Sequence, residues 1–171
     1  MVIFAISGSL RQGSSNTSIL HTLKSVAPAG VEFILYENVA SLPHFNPDLD
    51  NENLPQEVKE LRGMLNRSNA ILISTPEYAH GIPGSLKNVL DWLVSTVLLE
   101  NKPTGIILGS ASEGNYARES LIEILKTMNA KVSSDLVMTL PGARTKNDDP
   151  NTWQELKSFI EGLVLATQPL S

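Results

Sequence analysis

Five short apolar runs, each followed by a longer stretch of helical periodicity, constrain this chain more than any other feature of its sequence. Val2 to Ile6, Val31 to Tyr36, Ala70 to Ile73, Gly105 to Leu108 and Lys131 to Val137 are rich in Ile, Val and Leu and read as strands. Several are apolar at consecutive positions, as expected of strands covered on both faces. Helical patterns fall at Asn16 to Val26, Pro55 to Asn66, Ser85 to Leu98, Asn115 to Met128 and Thr152 to Ala166. In the last of these Trp153, Leu156, Ile160 and Leu163 share a face, with Asp149-Pro150 as N-cap and first helical residue. Strand–helix alternation of this kind predicts an α/β fold: a doubly wound, five-stranded parallel sheet with helices on both faces. With 171 residues the chain fits one such domain, over residues 1–171. The Pro-, Asn- and Asp-rich segment Leu42 to Leu54 reads as an irregular excursion.

Composition narrows the chemistry. There is no cysteine, which excludes thiol catalysis, disulfides and thiolate metal sites together. The formal net charge of −5 argues against nucleic-acid binding and against an anionic membrane surface, since neither gains from counterion release here. No run approaches the ~18 apolar residues of a membrane span. The N-terminal apolar run lacks a basic flank, so it reads as a strand in a cytoplasmic protein and not as a signal peptide. His21, His44 and His80 are scattered without ligand spacing, and no metal site is expected.

Doubly wound sheets bind ligands beyond the C-terminal ends of their strands, so the loops after the first, third and fourth strands matter most. The first, Ser7 to Thr17 (SGSLRQGSSNT), combines small residues, hydroxyls and an amide with one charged side chain, Arg11. Backbone amides can approach an anion there, the following helix adds its positive end, and Arg11 can bond a phosphate. Neither the Gly-x-x-x-x-Gly-Lys-Ser/Thr nor the Gly-x-Gly-x-x-Gly spacing is present, and an ordinary capped polar loop is the plainer alternative. The second, Thr75 to Gly84 (TPEYAHGIPG), is stiffened by Pro76 and Pro83, with Gly81 and Gly84 open to positive φ. Tyr78 suits stacking on a planar ring, and Glu77 suits accepting from a ring N–H or ordering the loop.

Gly8 to Asn16 (GSLRQGSSN), Thr75 to Tyr78 (TPEY) and Pro83 to Trp92 (PGSLKNVLDW), with Leu42 to Asp48 between them, resemble the NAD(P)H-dependent FMN reductase family, which includes quinone, azo-dye and chromate reductases. The resemblance covers most of the chain. It implies a flavodoxin-like fold, bound FMN, and hydride transfer from NADPH or NADH to the flavin and onward to a small-molecule acceptor. It implies that Ser9, Arg11, Ser14 and Asn16 hold the FMN phosphate, with Ser15 beside them. Pro76, Glu77 and Tyr78 would line the isoalloxazine, with Gly81, Gly84 and Ser110 close by. The family's fourth-strand loop often ends in paired glycines, where this chain has Asn115-Tyr116. Arg118, Arg144 and Lys146 are the cations that could meet an NADPH 2′-phosphate.

In the third helical pattern, Leu86, Val89, Leu90, Leu93 and Val97 form a stripe for the sheet, while Trp92 and Leu99 lie off it. A helix apolar on two faces has two partners, so Trp92 is expected at a homodimer interface near the flavin site, with cover by the chain's own loops as the alternative; the family resemblance also implies dimers or tetramers. Two other readings stay open: a non-catalytic electron carrier of the flavodoxin type, disfavoured by the basic Arg11, and a protein that keeps the fold without the ligand.

Overall fold

The computed structural model describes residues 1–110, 113–141 and 149–168. Five parallel strands form a single sheet in the order β2-β1-β3-β4-β5: β1 Val2–Ser7, β2 Glu32–Tyr36, β3 Ala70–Thr75, β4 Thr104–Ser110 and β5 Val137–Pro141. The central strands β3 and β4 are buried along their whole length, which is why their sequences are continuously apolar. Helices α1 Ser15–Val26 and α5 Pro150–Leu165 cover one face, packing Ile19, Leu23, Leu156 and Ile160 against Ile3, Ala5 and Leu72. Helices α2 Gln56–Asn66, α3 Gly84–Asp91 and α4 Asn115–Thr127 cover the other, packing Val58, Leu61, Leu86, Val89 and Leu121 against Phe4, Ile71 and Ile106.

The fifth strand departs from expectation. Lys131 to Val137 reads as a strand, but only Lys131 bridges a neighbour there, to Pro103, and Ser134–Leu136 is a 3-10 turn. The pairing segment begins at Val137, where Val137 faces Ile106 and Pro141 faces Ser110. As an edge strand its exposed side carries no apolar pattern, and Pro141 at its end weakens the signal further. In α5, Asp149 caps the first turn as expected, accepting from the amides of Asn151 (3.1 Å) and Thr152 (3.3 Å). Trp153, however, is 40% exposed, and Thr152 is buried in its place.

The largest correction concerns Trp92. α3 ends at Asp91, not Leu98, and the residues that follow form turns and bends. Trp92 is fully buried inside its own chain: its indole N–H donates to the Pro43 carbonyl (2.8 Å), and Phe45 meets it edge-on at 5.1 Å. The irregular excursion is thus the second partner of this segment, and Trp92 is not an interface residue. Leu99 is buried too, whereas Val97, expected on the sheet stripe, is 75% exposed. Arg62 fastens the excursion, pairing with Asp50 (2.9 Å) and donating to the Trp92 carbonyl. A Ser95 hydrogen bond, followed by Arg62, holds the Asp50 carboxyl below its ordinary pKa.

Candidate functional site

β1 has β2 on one side and β3 on the other, and the chain leaves β1 toward one face (α1) and β3 toward the opposite face (α3). The crevice between these two exits is the switch point at which sheets of this order take ligands. Hydrogen bonds hold its walls together. The Gly8 amide donates to the Ser74 carbonyl (2.8 Å), and the Ser85 hydroxyl reaches the Gly8 carbonyl (3.3 Å).

Asn16 sits beneath the first loop as a clip. Its side-chain amide donates to the Gly109 carbonyl (3.1 Å), while its oxygen accepts from the Ser74 hydroxyl (2.9 Å) and the Gly109 amide (3.2 Å). A Cβ at position 109 would collide with that oxygen, so the close approach requires glycine. The side chain of Asn16 thus joins α1 to β3 and β4, using its oxygen and one of its two amide hydrogens. Ser74 and Gly109, which complete the clip, are apparent only from the fold, because nothing in a strand sequence marks a contact to a distant helix start.

Around this clip the first loop forms an anion cradle. Ser14 is the N-cap of α1; its hydroxyl accepts from the Asn16 amide (3.2 Å) and its own amide donates to the Arg11 carbonyl (3.1 Å). Among the described residues no acceptor meets the backbone amides of Gln12, Gly13, Ser15 or Thr17, which leaves a turn of donors at the positive end of a helix. Ser9 is buried with its hydroxyl facing the Arg11 amide (3.4 Å), and Ser15 is half-buried. Arg11 is exposed and joins no ion pair among the described residues. This donor set fits a phosphate monoester such as that of FMN, which brings two negative charges and several acceptor oxygens.

The loop after β3 is fixed differently from expectation. Gly81 and Gly84 are not in the left-handed region; Ala79 (φ 48°) and His80 (φ 58°) are. They form the centre of a tight turn closed by two backbone bonds, from the Tyr78 amide to the Gly81 carbonyl (2.9 Å) and back (3.0 Å). Ala79→Gly should relieve a left-handed strain of ~1 kcal/mol and raise the melting temperature by about 2–4 °C in thermal unfolding. A lower value would show that the turn tolerates Ala without cost.

Pro76 is buried under the loop, and Tyr78 is 54% exposed at its crest. Of the two roles open to Glu77, ordering is the one seen. Its Oε2 accepts from the Ala117 amide (2.9 Å) in the first turn of α4, where a carboxylate meets the helix's positive end. Tyr116, standing where the family often has glycine, stacks on His80 with centroids 4.2 Å apart and planes 18° from parallel. The stack and the Glu77 bond tie the third-strand loop to α4, so Tyr116 braces this wall. Ser110 is buried at the end of β4. Arg144 and Lys146 lie outside the described residues, and Arg118 is half-exposed on α4. No group of three metal-ligating side chains occurs among the described residues, and no helix there is long and apolar enough to cross a membrane.

Comparison with known proteins bears on this geometry. Quinone reductase of Escherichia coli is 32% identical over 136 residues, covering 74% of this chain and 71% of that protein. An NAD(P)H-dependent FMN reductase of Pseudomonas aeruginosa is 32% identical over 118 residues, 68% of this chain and 63% of the relative. Among solved structures, the flavoenzyme NAD(P)H:acceptor oxidoreductase FerB of Paracoccus denitrificans superposes with a TM-score of 0.82 at 25% identity, covering 97% of this chain and 96% of the other. The fold is therefore that of flavoenzyme reductases, flavodoxin-like in its strand order. The family model for NADPH-dependent FMN reductase matches residues 1–145, and the chain belongs to that family.

Proposed function

We propose that the chain is an FMN-containing, NAD(P)H-dependent reductase of quinone-class acceptors, with the first loop holding the flavin phosphate and the turn at Tyr78 to Gly81 beside the ring. The observation that carries this is the row of unmet amides at the start of α1, with exposed Arg11 beside it, at the β1/β3 switch point. The quinone class is taken from the relatives named quinone reductase. Bound FMN would supply the redox chemistry, accepting a hydride from a nicotinamide and passing electrons to the acceptor.

The protein's own part is binding and orientation. The amides of Ser15 and Thr17 and the Arg11 guanidinium would neutralise the phosphate, with Ser9, Ser14 and Ser15 as hydroxyl partners. Pro76, Tyr78 and the braced turn give the ring a stiff wall, with Gly84 opening α3 and Ser110 ending β4 nearby. No cysteine or tuned acid–base pair is required. Assembly as a homodimer or homotetramer belongs to the same proposal, as does a cytoplasmic location. With Trp92 interior, Val94 and Val97 beside it are among the exposed apolar residues that a partner subunit could cover.

The test is spectroscopic. Protein reconstituted with FMN is expected to show a bound-flavin spectrum that NADPH or NADH bleaches anaerobically and that a benzoquinone restores. A bound flavin that neither nucleotide bleaches would leave an electron carrier in place of a reductase.

A further inference from the structure

A cavity of about 260 Å³ lies on the other side of β1 from the switch-point crevice. Its floor is apolar, formed by Ala5, Leu20, Leu35 and Val39, and its rim carries Arg11, His21 and Glu37. Among the described residues it takes nothing from the loops after β3 or β4, and it shares the first loop, with Ser9, Arg11 and Thr17, with the phosphate cradle. Glu37 directly follows β2 and is exposed, and neither it nor Arg11 joins an ion pair among the described residues.

We infer that this cleft binds the adenosine half of the nicotinamide donor, an inference that rests on the reductase reading above. Three features select a nucleoside. The floor is a slot of aliphatic side chains that matches the faces of a flat purine. The Glu37 carboxylate, exposed on the rim at the end of the second strand, can accept hydrogen bonds from the two hydroxyls of a ribose. On the same rim, and outside the phosphate cradle, the His21 imidazole offers a donor to a 5′-phosphate. The volume is below that of a whole dinucleotide site and suits one nucleoside. Distance permits the rest of the donor to reach the flavin: the cleft lies at β1 and β2 and the crevice at β1 and β3, so the two compartments are one strand spacing apart across the sheet, about 5 Å. Two riboses and a pyrophosphate bridge such a gap, passing over the first loop.

The probe is AMP, added to protein saturated with FMN so that the phosphate cradle is already filled. The inference expects AMP to bind, to shift amide resonances of Leu20, His21, Leu35 and Ala40, and to leave those of 77–81 in place. Glu37→Ala is expected to weaken AMP about tenfold, the loss of a charge-assisted hydrogen-bond pair. 2′-Deoxy-AMP should bind wild type more weakly than AMP does, and Glu37→Ala should cost it less. Reduced nicotinamide mononucleotide, lacking adenosine, should bleach wild-type flavin only at concentrations at least tenfold above NADH. AMP binding that ignores Glu37→Ala, AMP shifts at 77–81, or equal potency of NADH and the mononucleotide would each overturn the inference while leaving the reductase reading intact. Failure of every reduced nicotinamide to bleach the flavin, with AMP still seated in the cleft, would instead overturn the reductase reading and keep the nucleoside site.

Discussion

Asn16→Ala is expected to destabilise the fold by ~3–5 kcal/mol, because three buried partners lose their bonds at once. The Gly109 amide, the Gly109 carbonyl and the Ser74 hydroxyl all depend on this one side chain, and Asn16 itself is only 3% exposed. Water cannot readily replace it, since Ile19 crowds the same spot above Gly109. In a domain of this size each kcal/mol moves the midpoint by about 2–4 °C, so thermal unfolding followed by circular dichroism should show a drop of roughly 10 °C. A shift of less than about 2 °C would mean that the three groups find other partners.

Asn16→Asp sharpens the test through pH. The acid keeps an acceptor for Ser74 and the Gly109 amide but, once ionised, has no donor for the Gly109 carbonyl. Burial and that carbonyl raise its folded pKa above the unfolded value of about 3.9. The variant should therefore be stablest below that value, and its deficit should grow as pH rises through the folded pKa. A deficit that is flat from acid to neutral pH would count against this account of the clip.

Asn16 also shows where reading the sequence stops. A loop of Ser, Gly, Asn and Arg after a first strand announces an anion cradle through residue type and position alone. Which of those side chains face the anion and which face inward depends on β4, more than ninety residues away in the chain, and no local pattern carries that. The sheet itself was legible because β3 and β4 are buried on both faces and say so with unbroken apolar runs. β5 was not, since an edge strand needs apolar residues on fewer sides and its pairing begins only at Val137.

Trp92 misled for a related reason. Periodicity placed it on a second apolar face, and a second face needs a second partner. Periodicity could not say that the partner was Pro43 and Phe45 of the same chain, because an irregular segment has no period of its own to read. The turn at Ala79 and His80 was hidden by residue type: Ala79 disfavours positive φ, while neighbouring Gly81 favours it and is not used for it. There the two reciprocal backbone bonds, the His80–Tyr116 stack and the Glu77 bond to α4 outweigh the local preference.

Arg11→Ala should separate the phosphate cradle from the ring wall more cleanly than any change in the ring wall itself. FMN and riboflavin share the ring and ribityl chain and differ in the phosphate. Loss of a charge-assisted bond to phosphate is expected to weaken FMN about 10- to 100-fold, while riboflavin affinity changes by less than about threefold. Arg11 is exposed, so screening should matter. The FMN advantage of wild type should shrink as salt is raised from 0.01 to 1 M, where the Debye length falls from about 30 to 3 Å. Arg11→Lys keeps the charge but not the two-pronged geometry and should recover only part of the affinity. Flavin fluorescence titrations of the apoprotein measure all four comparisons. Equal losses for FMN and riboflavin would move Arg11 away from the phosphate and leave its anchoring to the unmet amides of α1 and the serine hydroxyls. The chain's acidic balance makes the expected outcome more pointed, for with a net charge of −5 only a local arrangement of donors can draw a dianion to this surface.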